Sequence, residues 1–64
     1  MQETLEFSSQ QIRLIRLKLK MTQEQFAEAY GVNANSVVSW ERGKSTPKRN
    51  EALAALNKAA RDAG

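Results

Sequence analysis

Only two residues, Gly31 and Val32, separate two stretches that each carry the marks of a complete short helix. In the run Thr22 to Gly43, TQEQFAEAYGVNANSVVSWERG, Thr22 can cap a helix while Gln25 reaches back to close a capping box. Met21 and Phe26 supply the hydrophobic staple across that cap. The helix should run to about Tyr30 with Phe26, Ala27 and Tyr30 inward, and Ala27 is small where two helices must approach closely. Gly31 tolerates the left-handed conformation that ends it. Asn33 then caps a further helix, and Val32 staples to Val37. Val37 and Trp40 point inward at i and i+3, which assigns Ala34, Asn35, Val38 and Ser39 to the opposite face. This helix should stop near Glu41 or Arg42, before Gly43. A link this short forces the two helices to cross steeply.

The same device recurs upstream. Ser8 and Gln11 make a capping box and Phe7 staples to Ile12, which predicts a helix from about Ser9 to Leu19. Ile12, Ile15 and Leu19 repeat at helical spacing and should face the core, with Leu14 and Leu17 widening the stripe. Downstream, Ser45 and Thr46 belong to a loop. Pro47 suits the first turn of a last helix and Asn50 is a second possible cap. Leu53, Leu56 and Ala60 form the apolar stripe of this helix, which reaches to about Asp62. The expectation is an all-α domain of four helices, or five, over residues 8–64, preceded by an arm at 1–7.

Size and composition exclude several classes. At 64 residues the chain is one domain near the lower limit for folding alone. Its 41% of apolar residues suffice for one small core and not for an enclosed catalytic cavity. There is no cysteine and no histidine, so disulfides, thiolate metal sites and the commonest general base are missing. Neither a metal nor a cofactor is expected. Glu24, Glu28, Glu41 and Glu51 have no catalytic partner beside them, and no glycine-rich phosphate loop is present. No apolar run has the length of a membrane span, and a cytoplasmic location is expected. The net charge of +3 is unevenly placed. Arg13, Arg16, Lys18 and Lys20 form one basic cluster, and Arg42, Lys44, Lys48 and Arg49 form another. Glu3 and Glu6 lie apart from both. Two basic clusters flanking a polar helix suit a phosphate backbone as partner, although a solvated surface also explains mild basicity.

Two short helices in a tight corner, the second with a small polar face, are the layout of a helix-turn-helix. The stretch TQEQFAEAYGVNANSVVSWERGKSTP resembles the Cro/phage-repressor, XRE-like family, on the Thr22-Gln23 opening, Ala27, Gly31, Val37 and the closing Trp40-Glu41-Arg42-Gly43. The likeness covers about residues 8–58 and implies a lambda-repressor-like DNA-binding domain with its motif at about 22–43. The run from Ser39 through Pro47 and the Ala/Leu-rich last helix also look like antitoxins of the HigA, MqsA and NadS kinds and like small regulators beside anti-CRISPR genes. Many family members dimerise through a fifth helix. This chain stops after its fourth, so Gln2 to Phe7 or the outer face of helix four is the expected replacement.

Asn35 is the foremost candidate for base reading, because its amide can pair bidentately with adenine. The resemblance puts it at a main base-contact position. Ser39, one turn on, can bond a base edge or a phosphate, and Ala34 and Val38 can touch thymine methyls. For Val38 a partly covered helix residue is the plain alternative. Gln23 is placed against a phosphate by the resemblance, and Thr22 and Asn33 can join it beyond their capping roles. Arg42, Lys44, Lys48 and Arg49 are candidate backbone contacts. The resemblance also pairs Arg16 with Glu41 as a partly buried salt bridge, which makes both structural. Trp40 belongs to the core by its spacing with Val37. The expected partner is double-stranded DNA bound by a homodimeric repressor. The rival expectation is an antitoxin-like module that grips a toxin or co-regulator protein.

Overall fold

The computed structural model describes residues 7–64. Four helices follow in order: α1 (Ser9–Lys18), α2 (Gln23–Tyr30), α3 (Ala34–Glu41) and α4 (Asn50–Ala63). The N-terminal arm expected to carry a dimer contact lies, apart from Phe7, outside the described residues.

Local chemistry sets most of the boundaries. At α1 the Ser8 hydroxyl accepts from the Gln11 amide at 3.1 Å and the Gln11 side chain accepts from Ser8 N–H at 2.9 Å. Thr22 and Gln25 repeat this at α2 with the same distances, 3.1 and 2.9 Å. At α3 Asn33 Oδ1 accepts from Asn35 N–H at 2.8 Å. No reciprocal bond forms there, because the third residue after the cap is Ser36.

The helix ends use the left-handed region. Gly31 closes α2 at φ 69° and Gly43 follows α3 at φ 77°. Beyond Gly43, Lys44 N–H donates to Ser39 C=O at 3.0 Å and Gly43 N–H to Trp40 C=O at 3.1 Å, which satisfies carbonyls that the helix leaves open. The end of α1 has the same pair of bonds, from Met21 to Arg16 and from Lys20 to Leu17, with Lys20 at φ 60° where glycine would be usual.

Each helix contributes to one core: Ile12 from α1, Phe26 and Ala27 from α2, Val37 and Trp40 from α3, Leu56 and Ala59 from α4. Helix α1 packs on α3 and α4, and α2 on the same two. Tyr30 stacks obliquely on Phe26 with 4.9 Å between rings, and its hydroxyl donates to Asp62 at 2.8 Å, tying the end of α2 to the end of α4.

Four expectations need correction. Leu14 and Leu17 do not widen the core stripe: they are 56% and 53% exposed. They lie about 200° and 140° round α1 from Ile12, on its outer side. Ala34 does not share the outward face of α3. It stands three residues before Val37 and is half-buried against the core. Asn50 is not a cap but the first residue of α4: Arg49 holds the extended cap conformation and makes no side-chain capping bond. Pro47 is buried in the preceding loop rather than in a first helical turn. Smaller shifts concern helix ends. Leu19 is the C-cap of α1, and α4 runs one residue past Asp62.

Candidate nucleic-acid interface

Helices α2 and α3 are joined by only three residues, Gly31 to Asn33, and pack on each other, which leaves one side of α3 facing out of the molecule. With Val37 inward, Asn35, Ser39 and Arg42 fall about 140–200° away around the helix. Asn35 and Arg42 are exposed, and Ser39 and Val38 are half-exposed. The side chains of Asn35, Ser39 and Arg42 form no hydrogen bond or ion pair among the described residues. Asn35 is engaged only through its backbone N–H, so its amide is free to read a ligand.

Both ends of α3 are flanked by donors. At the N-terminal end, a cleft of about 390 Å³ lies between Asn33, Ser36 and Trp40 on one side and Lys48 and Arg49 on the other. Both cations are exposed. Pro47, Ala52 and one acid, Glu51, help to line the cleft. The sequence-predicted backbone contacts Asn33, Lys48 and Arg49 are thus brought together, whereas Arg42 and Lys44 stand at the opposite end of α3, exposed.

At that opposite end the organising group is Glu41. Its side chain is 1% exposed. Arg16 binds it with both arms of the guanidinium: Nε donates to Oε2 at 2.7 Å and Nη2 to Oε1 at 2.9 Å. Arg16 Nη1 also donates to Met21 C=O at 3.0 Å, so this one side chain joins α1, the α1–α2 link and α3. Gln23 Nε2 adds a bond to Glu41 Oε1 at 3.2 Å, and Arg13 Nε stands 3.8 Å from the same oxygen. Burial pushes the Glu41 carboxyl up. The bonds from Arg16 and Gln23 and the charges of Arg16 and Arg13 outweigh it and hold the group below the usual glutamate range. The Arg16 guanidinium is raised, chiefly by its bond to Glu41. Trp40, beside Glu41 in sequence, is buried in the core.

The parts that Gln23 and Arg13 play at Glu41 are not evident from residue type. For Arg13 a signal exists, because it precedes Arg16 by three residues and so shares its side of α1. Gln23 carries no such signal, since the crossing angle of α2 and α3 decides what its amide meets. Thr22 spends its hydroxyl oxygen on the Gln25 N–H and retains its own proton to donate.

A short helix whose outer polar side chains are unpaired among the described residues, backed by a second helix and flanked by cations, defines a helix-turn-helix domain. Residues 12–58 match the helix-turn-helix family profile. The chain belongs to that family, the Cro/C1-type, XRE-like group of DNA-binding regulatory domains. No curated protein and no solved structure matches it. Among the described residues no group of acidic side chains gathers as a metal site, and no helix is long and apolar enough to cross a membrane.

Proposed function

We propose that this chain is a sequence-specific transcriptional repressor that binds an inverted-repeat DNA site as a homodimer and works in the cytoplasm of a bacterium or of a phage-infected cell. The observation that carries the reading is the outward side of α3, where Asn35, Ser39 and Arg42 have no partners among the described residues. With its side chains a helix such as α3 is about 10–12 Å across, a width that the major groove of about 12 Å admits. With α3 in that groove, Asn35 reads an adenine edge through its amide. Ser39 meets a base edge one turn further on, and Val38 touches a thymine methyl. Ala34 retains only the rim of its methyl for the same purpose.

The flanks then lie over the two phosphate chains. Asn33, Lys48 and Arg49 serve one side, and Thr22 and Gln23 serve the other, where the α2 N-terminus is electropositive. Arg42 and Lys44 add contacts at the end of α3. These groups orient the domain, and the α3 side chains specify the sequence. Repression follows from occlusion of a promoter.

Leu14 and Leu17 supply a surface for the second copy. Leu14 helps to line a hollow of about 280 Å³ together with Phe7, Ile15, Ala60 and Ala63, and Leu17 stands one turn further along the same side of α1. One patch thus carries both knobs and a small-residue hollow, as a two-fold interface requires. An antitoxin-like module would present the same patch to a toxin or co-regulator.

Selection from a random DNA library at near-physiological salt tests the reading. The expected product is an inverted repeat with half-site centres roughly 34 Å apart. In the same selection Asn35→Ala should relax one position per half-site, losing about 1–3 kcal/mol of discrimination there. Recovery of no motif would transfer the assignment to the partner-protein module. A motif unchanged by Asn35→Ala would remove Asn35 from the reading set.

A further inference from the structure

Glu41 gathers more positive charge than it can neutralise. Arg16 already occupies both carboxylate oxygens, at 2.7 and 2.9 Å, with its side chain only 13% exposed. Arg13 approaches Oε1 to 3.8 Å, too far for a hydrogen bond, and is 60% exposed. Two guanidiniums therefore face one carboxylate, which leaves a net positive charge at the junction of α1, α2 and α3. Glu24, in the first turn of α2, pairs with neither of them among the described residues. At 3.8 Å and with Arg13 60% exposed, this pairing adds little to folding, so stability does not account for an arginine here.

The surplus charge lies beside groups that still have protons to give. Gln23 reaches the same Oε1 with one amide proton and keeps the other. Thr22, the neighbouring cap, keeps its hydroxyl proton. Arg13 donates to no protein acceptor among the described residues, and its fork of N–H groups matches phosphate oxygens.

We infer that Arg13 is a DNA-phosphate contact: it leaves Glu41 to Arg16 and, with Gln23, grips one backbone phosphate at the α2 edge of the groove that α3 reads. The inference rests on the DNA-binding reading above. The two arginines divide the work. Arg16 locks the helices together, and Arg13 is stationed by the same carboxylate and released to the ligand.

The test is a salt titration of binding to a random-sequence duplex, followed by fluorescence polarisation, for the wild type, Arg13→Gln, Arg13→Lys and a charge control, Arg61→Gln, an exposed cation in the last turn of α4. Neutralising one phosphate contact should reduce the slope of log K against log salt by about 0.9. That reduction is expected for Arg13→Gln and not for Arg61→Gln, with most of it restored in Arg13→Lys. The melting temperature at neutral pH should stay at the wild-type value. Ethylation interference on a selected duplex should then show one phosphate that matters to the wild type and not to Arg13→Gln. An unchanged slope in Arg13→Gln, or a slope loss shared by Arg61→Gln, overturns the assignment and leaves DNA binding intact. A marked drop in melting temperature for Arg13→Gln makes Arg13 structural and also overturns it. A wild-type chain that binds no duplex at all overturns this inference together with the reading beneath it.

Discussion

Glu41 shows how one buried charge can organise a small domain. Its bidentate bond to Arg16 joins α3 to α1, and the Gln23 amide adds α2. Removing one partner of such a buried pair strands the other, at a cost of about 3 kcal/mol or more. A domain of this size has only about 3–10 kcal/mol in all, so Glu41→Gln should lower the melting temperature sharply. The pH dependence has a definite sign. Glu41 titrates below its ordinary value of 4.5 in the folded chain. Its contribution is therefore fully present above that value and is lost as pH falls through the depressed folded value. Asp62 is also lowered, first by its bond from Tyr30, but it is exposed and adds little. Thermal melts should be flat from neutral pH down to about 5 and fall steeply below about 4.5, and Glu41→Gln should blunt that fall. An equally steep acid transition in Glu41→Gln would place the sensitivity elsewhere. That Glu41 meets Arg16 comes from family likeness, not from spacing, because the two stand 25 positions apart in the chain.

At the scale of elements, the chain was legible wherever the cause is local. Caps at Ser8, Thr22 and Asn33 involve partners two or three residues away, and the structure places all of them as the sequence implies. The start of α4 was less legible, because Arg49 caps without a side-chain bond and Pro47 is held by burial in the loop instead of by helix chemistry. Ala34 stands three residues before Val37, so helical spacing itself points it inward, against the expectation that groups it with Asn35. Lys20 is a further departure, an L-residue at φ 60° in the α1–α2 link. A left-handed backbone costs a side-chain-bearing residue about 1–2 kcal/mol, partly offset by the backbone entropy glycine loses on folding. Lys20→Gly should thus stabilise the fold by about 0.5–1 kcal/mol, a rise of roughly 2–8 °C in melting temperature. Lys20→Ala retains the strained backbone and should show no such gain. Calorimetry of the two variants side by side decides whether the link is strained.

For the whole molecule, the faces have separate tasks. On the proposed function, the outer side of α3 would read, the two ends of α3 would orient, and the Leu14–Leu17 side of α1 would be offered to a second copy. Helical periodicity places Leu14 and Leu17 away from Ile12, yet five apolar residues within eight positions read as one broad stripe. Only the packing of α1 against α3 and α4 shows which part of that stripe is covered. Because both leucines are more than half exposed, replacing them should spare the monomer fold. Sedimentation equilibrium should give two chains per particle for the wild type and a mass near the single-chain 7.2 kDa for the double variant Leu14→Gln, Leu17→Gln. Affinity for the inverted repeat should fall with it. A particle of unchanged mass would move the interface to another face. Among the described residues Asn35, Ser39 and Arg42 have no internal partners, and under the proposed function this has a consequence for inheritance. These positions can be exchanged without disturbing the core or the Glu41 junction, so a new target would be acquired by substitution at a few codons while the scaffold keeps its stability throughout. The domain would in this sense be a reader whose lexicon is detachable from its frame.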